Sequence, residues 1–367
     1  MSADGDAGET ILEIERLSTH FDVPGGPVRA VDDNSITLHE GEILGIVGES
    51  GSGKSTLLRS VMGLIEEPGE VVDGAIRYRD RDLTELSDAE MRELRGNDVS
   101  FVFQEPTSHL NPAYTVGEQI TDVLAAHTDL GETERWERVY DLLDTLGIPS
   151  PEERAESYPH EFSGGMAQRV CIAMALACEP ELLLADEPTS ALDVTIQAQI
   201  IDLLTDLQEQ FGVAMLWVTH DMGVVAETCD SIGVMYAGNI VEYGDVADVF
   251  ADPKHPYTAA LLDSVPSHRD TTRRFDTIEG SPPELLDLPE GCVFQDRCPE
   301  AMEACRTHRP PYYEVDEEGE WLSKCLLHEG RPTRPSSPSA PETDPLDGGA
   351  SAADGGERTD DRDGGSE

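Results

Sequence analysis

Ile43-Leu44-Gly45-Ile46-Val47 | Gly48-Glu49-Ser50-Gly51-Ser52-Gly53-Lys54-Ser55 is the stretch on which the fold turns. An apolar run of strand length leads into a Gly/Ser loop, and a helical pattern follows from Lys54 to Leu64. The loop fits Gly-x-x-x-x-Gly-Lys-Ser, the pattern that cradles phosphates. Its glycines let backbone N–H groups curl around phosphate oxygens, and the helix N-terminus adds partial positive charge. In that chemistry Lys54 reaches the β- and γ-phosphates, and Ser55 ligates Mg²⁺. The bound species is therefore expected to be ATP with Mg²⁺.

Further along, Leu182 to Ala185 is wholly apolar, as a strand buried on both faces of a parallel sheet must be. Asp186 at its end is placed to orient Mg²⁺ or its water, and Glu187 to polarise an attacking water as general base. Val194 to Phe211 sets Ile196, Ile200, Leu203, Leu204, Leu207 and Phe211 on one helical face. Val213 to Val218 is another apolar strand. Ile232 to Tyr243, turning at Ala237-Gly238-Asn239, reads as a hairpin. The alternation predicts a layered α/β domain.

Upstream, residues 11 to 47 read as short strands broken by a Gly/Pro turn at Pro24 to Pro27. Ser87, three residues before Glu90, predicts a capping box, and helix signals dominate residues 85 to 160. From about 251 the texture becomes Pro-rich and Cys-containing. From Arg331 it is Pro, Ser, Gly and Asp, too poor in apolar surface to offset ordering entropy. No internal repeat is present, so one chain carries one copy of each motif.

The 367 residues allow two to three domains, and they carry 75 acidic against 25 basic residues, a net charge of -50. Only three lysines occur: Lys54, Lys254 and Lys324. Such a surface repels itself at low salt. Molar salt shrinks the Debye length to about 3 Å, so the composition fits a salt-rich cytosol; an ordinary acidic protein is the other reading. It argues against nucleic acid, which needs a basic footprint, and against adsorption to anionic lipid. No stretch approaches the ~20 apolar residues of a membrane span, and residues 1–10 lack the features of a secretory signal.

Ser163-Gly164-Gly165-Met166-Ala167-Gln168-Arg169 precedes the Asp186-Glu187 pair. With Gln104 in Phe103-Gln104-Glu105-Pro106, Ser190-Ala191-Leu192-Asp193, and His220 in Val218-Thr219-His220-Asp221, it is very specific. From about residue 11 to 250 the chain resembles an ABC-transporter nucleotide-binding subunit. The fold implied is a P-loop NTPase domain over 11–250, with a helical subdomain at about 88–165. A flexible N-terminus (1–10), a small Cys-containing extension (251–330) and a disordered acidic tail (331–367) complete the expected organisation.

That resemblance implies roles. Gly48 to Lys54, with Ser55 and Thr56, hold phosphates and Mg²⁺; Gln104 senses metal and water and relays nucleotide state; Asp186 supports Mg²⁺; Glu187 is the base. His220 contacts the γ-phosphate, Asp193 lies on a dimer-crossing loop, and Ser163, Gly164 and Gly165 belong to the signature that caps ATP bound in the opposite subunit. Phe21 is the aromatic implied to stack on adenine, though it also reads as an ordinary strand residue. The signature begins Phe162-Ser-Gly-Gly-Met166 where the commonest form is Leu-Ser-Gly-Gly-Gln; the phosphate-contacting residues remain.

Gln104 to Pro112, His255-Pro256-Tyr257-Thr258, Leu288 to Phe294 and Arg297-Cys298-Pro299 are similar to the oligopeptide/dipeptide branch of importers, some of which carry nickel or sugars. The implied partners are a second ATPase subunit (itself or a paralogue), two membrane permease subunits and an extracellular solute-binding protein. The implied location is peripheral, on the cytoplasmic membrane face. A non-transport ABC ATPase would be expected to lack the His-Pro-Tyr element and cysteine segment.

Cys292, Cys298, Cys305 and Cys325 remain. Disulfides are disfavoured in a cytosolic protein, so thiols gathered in a core-poor segment suggest metal: a [4Fe–4S] cluster, or alternatively structural Zn²⁺, remote from ATP. Four packed thiols is the other reading. Cys171, Cys178 and Cys229 read as buried thiols, and His109, His160 and His268 as ordinary polar positions.

Overall fold

Alternating burial along residues 10–39 builds the first layer. β1 (Thr10–Val23) and β2 (Gly26–His39) run antiparallel about a turn at Pro24-Gly25. The expectation of short strands is corrected: each has 14 residues, and register shifts between Ile14 and His20 let the ribbon twist without breaking. β3 (Ile43–Val47) then leaves for a second sheet, while β4 (Gly69–Tyr78) and β5 (Arg81–Asp82) complete the first in the order β2-β1-β4-β5.

The second sheet adds β6 (Val99–Val102), β7 (Leu182–Asp186), β8 (Ala214–Thr219), β9 (Ser231–Tyr236), β10 (Asn239–Asp245), β11 (Tyr313–Glu314) and β12 (Leu322–Ser323). Its order is β11-β12-β10-β9-β3-β8-β7-β6. The five strands from β9 to β6 are parallel. Every residue of β3, β7 and β8 is buried, which explains their unbroken apolar sequences. The β9–β10 hairpin closes at Ala237-Gly238, as its turn residues predict.

Helices α1 (Lys54–Val61), α2 (Asp88–Leu94), α3 (Pro106–His109), α4 (Val116–His127), α5 (Glu132–Thr145), α6 (Pro151–Ala155), α7 (Gly164–Leu176), α8 (Val194–Phe211) and α9 (Met222–Thr228) flank the sheets. α2 opens with the Ser87/Glu90 capping box. One core cluster joins the sheets through Leu12, Ile36, Leu57 and Leu184; another joins α4, α5, α7 and α8 to the opposite sheet face. The stretch 88–165 is not wholly helical, because β6 inserts into the main sheet beside β7.

Residues beyond 251 do not form a separate module. α10 (Val246–Ala251) packs on β9 and β10, residues of α11 (Pro256–Asp263), α12 (Glu303–Thr307), β11 and the β12 approach share a core cluster with it, and β12 pairs with β10, so the extension continues the main sheet. A third cluster unites Val47, Tyr236, Tyr257, Phe294 and Trp321. The computed structural model describes residues 8–190, 192–264 and 278–333. The flexibility expected of 1–10 and the disorder expected of 331–367 fall almost wholly outside them, as does His268. Among the described residues no helix is long and apolar enough to cross a membrane.

Candidate active site

β3 delivers the chain to Gly48, where a side chain cannot exist: an added Cβ would lie 2.0 Å from the Met235 carbonyl oxygen. Gly53 has φ +106°, and its Cβ would lie 1.9 Å from the Ala30 oxygen. The loop is thus pressed against β2 and the β9–β10 turn, where Gly238 N–H donates to Ser52 O at 2.8 Å. Gly51 differs, since its added Cβ would meet nothing within 4 Å. The Ser52 hydroxyl is buried with no hydrogen-bond partner. An open cradle and an unpaired donor beside the start of α1 fit a phosphate.

Lys54 is 5% exposed and donates to Gly48 O at 2.9 Å and Glu49 O at 3.0 Å. Burial pushes its pKa down, against Glu187, Asp186 and Glu49, which hold it up. Ser55 Oγ donates to Asp186 Oδ1 at 2.8 Å. Burial raises the Asp186 carboxyl, and the Ser55 bond opposes that. These paired oxygens are a hard donor set that suits Mg²⁺.

Glu187 sits at φ +43°, its N–H donating to Val218 O at 2.9 Å. A non-glycine residue held there is strained, at a cost on the order of 1 kcal/mol. The carboxylate has two partners: Gln104 Nε2 donates to Oε2 at 3.0 Å, and His220 Nδ1 lies 3.3 Å from Oε1. Four adjacent parallel strands, β3, β8, β7 and β6, deliver these groups from their carboxyl ends, where open α/β sheets place their ligands.

The signature residues stand apart. Ser163 caps α7, accepting from Met166 N–H at 3.4 Å, and an added Cβ on Gly165 would lie 2.5 Å from Ile196 Cγ2. Gly164 is exposed beside them. Asp193 caps α8, its Oδ1 accepting from Thr195 and Ile196 N–H at 3.1 Å. Among the described residues no hydrogen bond joins Ser163–Gly165 to the phosphate loop. Phe21 lies in β1 with its ring against Gly69, whose added Cβ would be 2.5 Å from the ring edge. Thr56, within α1, accepts from Ser60 Oγ through its carbonyl. His109 is more than a polar surface position, since it stacks on Phe103 with centroids 4.0 Å apart.

Sequence reasoning missed two residues of the extension that reach this site. Tyr257 Oη accepts the Glu49 N–H at 3.1 Å. Arg297 grips the Glu49 carboxylate with both terminal nitrogens at 3.0 Å. Arg297 precedes Cys298, so one residue of the cysteine segment reaches the phosphate loop. Contacts spanning 208 and 248 residues leave no local pattern to read.

Cys292, Cys298 and Cys305 share the third core cluster, and Cys325 is buried within electrostatic reach of all three. Burial pushes the Cys292 thiol up to about 11 and Cys325 up to about 12, helped by the neighbouring thiols. Met302 N–H faces Cys305 Sγ at 3.5 Å. Among the described residues no three His, Cys, Asp or Glu side chains are arranged to hold a metal ion. The thiols are packed together but are not, as they stand, a ligand set. Cys171, Cys178 and Cys229 are half-buried rather than fully buried, and desolvation raises each thiol, to about 12 for Cys171 and Cys229.

Comparison with known proteins agrees with this geometry. Residues 31–190 match the family model described as ABC transporter, and residues 241–305 match "Oligopeptide/dipeptide transporter, C-terminal region". The dipeptide transport ATP-binding protein DppD of Haemophilus influenzae is 47% identical over 325 residues, covering 88% of this chain and 98% of that one. The oligopeptide transport ATP-binding protein OppD of Salmonella typhimurium is 48% identical over 300 residues, covering 82% and 89%. Among solved structures, a dimeric post-hydrolysis ATP-binding cassette, MJ0796 with ADP and phosphate, aligns with TM-score 0.58 and 29% identity, over 64% of this chain and 98% of that one.

Proposed function

Because the chain belongs to the ABC transporter family, among the ATP-binding proteins with the oligopeptide/dipeptide C-terminal region, we propose that it energises uptake of di- and oligopeptides through separate permease subunits. The observation that carries this reading is the convergence of Lys54, Ser55 and Asp186 with the Gln104–Glu187–His220 triad at adjoining strand ends.

In this reading Ser55 and Asp186 hold Mg²⁺, which when bound offsets phosphate charge. Backbone N–H groups of residues 51–55 and Lys54 hold the phosphates. Glu187 accepts the proton of the attacking water, with its carboxylate oriented by Gln104 and His220. Ser163 and Gly165, separate from the site of their own chain, cap the ATP of a second ATPase subunit, identical or paralogous. Val194, 82% exposed beside Asp193, suits burial at that contact. Closure on ATP is then a ligand-driven population shift.

A groove of about 370 Å³ behind Gln104, lined by Phe103, His109, Val123, Cys171 and Met174, suits a permease segment. Cys171 Sγ, donating to Pro106 O at 3.5 Å, ties the segment after Gln104 to the signature helix. A solute-binding protein would deliver cargo. For the cysteines, the mutual proximity of Cys292, Cys298, Cys305 and Cys325 supports a [4Fe–4S] or Zn²⁺ site that forms when the side chains turn toward one another. Iron, sulfide and zinc all at trace in anaerobically purified protein would remove both versions. The charge of -50 supports a salt-rich working environment; equal thermal midpoints in dilute buffer and molar KCl would contradict it.

The test is uptake of a labelled dipeptide at high salt by cells carrying the native chain or Glu187→Gln. Uptake should vanish in the variant, although ATP still binds and holds the dimer. Competition by longer peptides alone supports peptide cargo. Competition by Ni²⁺ or sugars, or dipeptide uptake unchanged in a strain with no redundant system, moves the cargo to those solutes.

A further inference from the structure

We propose that Arg297, carried by the cysteine segment, is a positioning residue of the phosphate loop. It neutralises Glu49 and fixes the loop in its phosphate-binding shape. This rests on the reading that the loop binds the phosphates of ATP.

Glu49 is an anion inside a loop built to receive anions, in a chain of net charge -50. Its carboxylate is close enough to be felt by Lys54. Left alone it would repel the phosphates and compete for the lysine. Arg297 answers with a two-pronged ion pair, both N–O distances 3.0 Å, in the geometry that matches guanidinium to carboxylate. The Arg297 side chain is only 6% exposed, so molar salt screens the pair poorly.

The guanidinium is itself held in place. It donates to Tyr236 Oη at 3.2 Å, Ile278 O at 3.3 Å and Glu279 O at 3.1 Å. Tyr236, Tyr257 and Phe294 pack as one aromatic group beside it, with ring centroids 4.6 to 5.3 Å apart. Tyr257 meanwhile accepts the Glu49 N–H, so the extension grips this residue at both backbone and side chain. A tight turn sets the height of Arg297: its N–H donates to Phe294 O at 3.0 Å, and Cys292 N–H to Cys305 O at 2.8 Å. Gly291, whose added Cβ would lie 2.1 Å from Cys305 O, locks that turn. The packing of the cysteines thus bears on the nucleotide loop through one arginine.

The experiment is steady-state ATPase of the full chain at molar KCl, comparing Arg297→Gln, Arg297→Lys and the double variant Arg297→Gln/Glu49→Gln. Arg297→Gln should raise KM for ATP about tenfold with kcat within about twofold. Arg297→Lys, keeping charge but losing the fork, should fall between. The double variant should recover most of the KM defect, because the uncompensated carboxylate is gone; a merely structural arginine would show no such rescue. An unchanged KM in Arg297→Gln, or a double variant no better than the single, overturns the inference. If Arg297→Gln does not fold, the Lys and double variants decide in the same way. Absence of turnover in the native chain would instead overturn the ATPase reading on which this one rests.

Discussion

The phosphate loop and the cysteine extension meet at Glu49, and they are held by different physics. The loop is shaped by missing atoms: Gly48 and Gly53 come so close to the Met235 and Ala30 carbonyls that no side chain fits. The extension is pinned by a few buried charged groups. Arg297 grips Glu49, Arg309 Nη2 donates to Asp32 at 2.6 Å, and Lys324 donates to the Asp33 carbonyl. Glu242, fully buried, accepts from the N–H groups of Lys254 and His255 at 2.8 Å and from Trp321 Nε1 at 3.0 Å. All three lysines of the chain are committed: Lys54 to the loop, Lys324 to Asp33, and Lys254 to Asp252 and the Trp321 ring 4.7 Å away. A chain so poor in base spends its cations on attachment. The difference teaches that a backbone-shaped site tolerates no methyl group where another carbonyl closes on it, as at Gly48 and Gly53, whereas a charge-pinned one does not tolerate the loss of a partner.

Gly53→Ala attacks the first principle directly and should have the largest effect. The new methyl must displace the Ala30 carbonyl, and a shift of ~1 Å in a positioning loop can cost about a hundredfold. ATP affinity measured with a fluorescent analogue should fall by at least that, together with the thermal midpoint. Near-native affinity would mean that the loop is not shaped by this contact.

Glu242→Ala attacks the second. It leaves two buried donors, His255 N–H and Trp321 Nε1, and the half-buried Lys254 N–H without an acceptor, at about 1–3 kcal/mol each. The unfolding free energy from denaturant titration should fall accordingly, by about 3–9 kcal/mol in total. Residues 278–333 should become accessible to limited proteolysis while the parallel sheet stays protected. Uniform loss of protection would show the extension to be fused into the core cooperatively rather than pinned to it.

Gly51→Ala sharpens the contrast from within the loop. Its φ is +79° but the added methyl meets no protein atom, so stability should drop by only about 1 kcal/mol. The methyl enters the cradle, so KM for ATP should rise by more than that loss explains. Equal losses in affinity and stability would place the phosphates elsewhere.

The same contrast governs what could be read from sequence. The strands Ile43–Val47 and Leu182–Asp186 and the helix Val194–Phe211 announce themselves by apolar runs and period, because burial on a sheet or helix face is a local pattern. Lys54, Ser55, Asp186 and Glu187 were legible because glycine spacing and strand-end acids are constrained by chemistry, whereas Gln104 and His220 came only from the family resemblance. β11 and β12 have two residues each and carry no pattern. The Arg297–Glu49, Tyr257–Glu49 and Arg309–Asp32 contacts join residues more than 200 apart, and nothing in either segment marks its partner. The length of β1 and β2 was hidden because register shifts interrupt their alternation.

The smallest expected effect tests how the His-Pro-Tyr element is attached. His255 is 1% exposed and caps α11, with Nδ1 accepting from Tyr257 N–H at 3.0 Å. Burial, with His328 nearby, lowers its pKa from 6.5 to about 3. The folded state therefore keeps it neutral while the unfolded chain protonates below 6.5. Below that pH the unfolded state binds the extra proton, so stability is lost as pH falls from 6.5 towards 3, at about 1.4 kcal/mol per unit. Glu242, which accepts from His255 N–H, has its carboxyl raised by burial and works in the opposite sense on the acid side. Only the difference between native and variant chains isolates the histidine. Asn at 255 keeps a capping oxygen for Tyr257 N–H but cannot titrate. His255→Asn should thus cost little at pH 7.5 and lose about 1 kcal/mol less than the native chain between pH 7.5 and 5.5. Parallel pH profiles for the two chains would mean that His255 gains solvent or a proton in the folded state, and that the extension opens there before the sheet does.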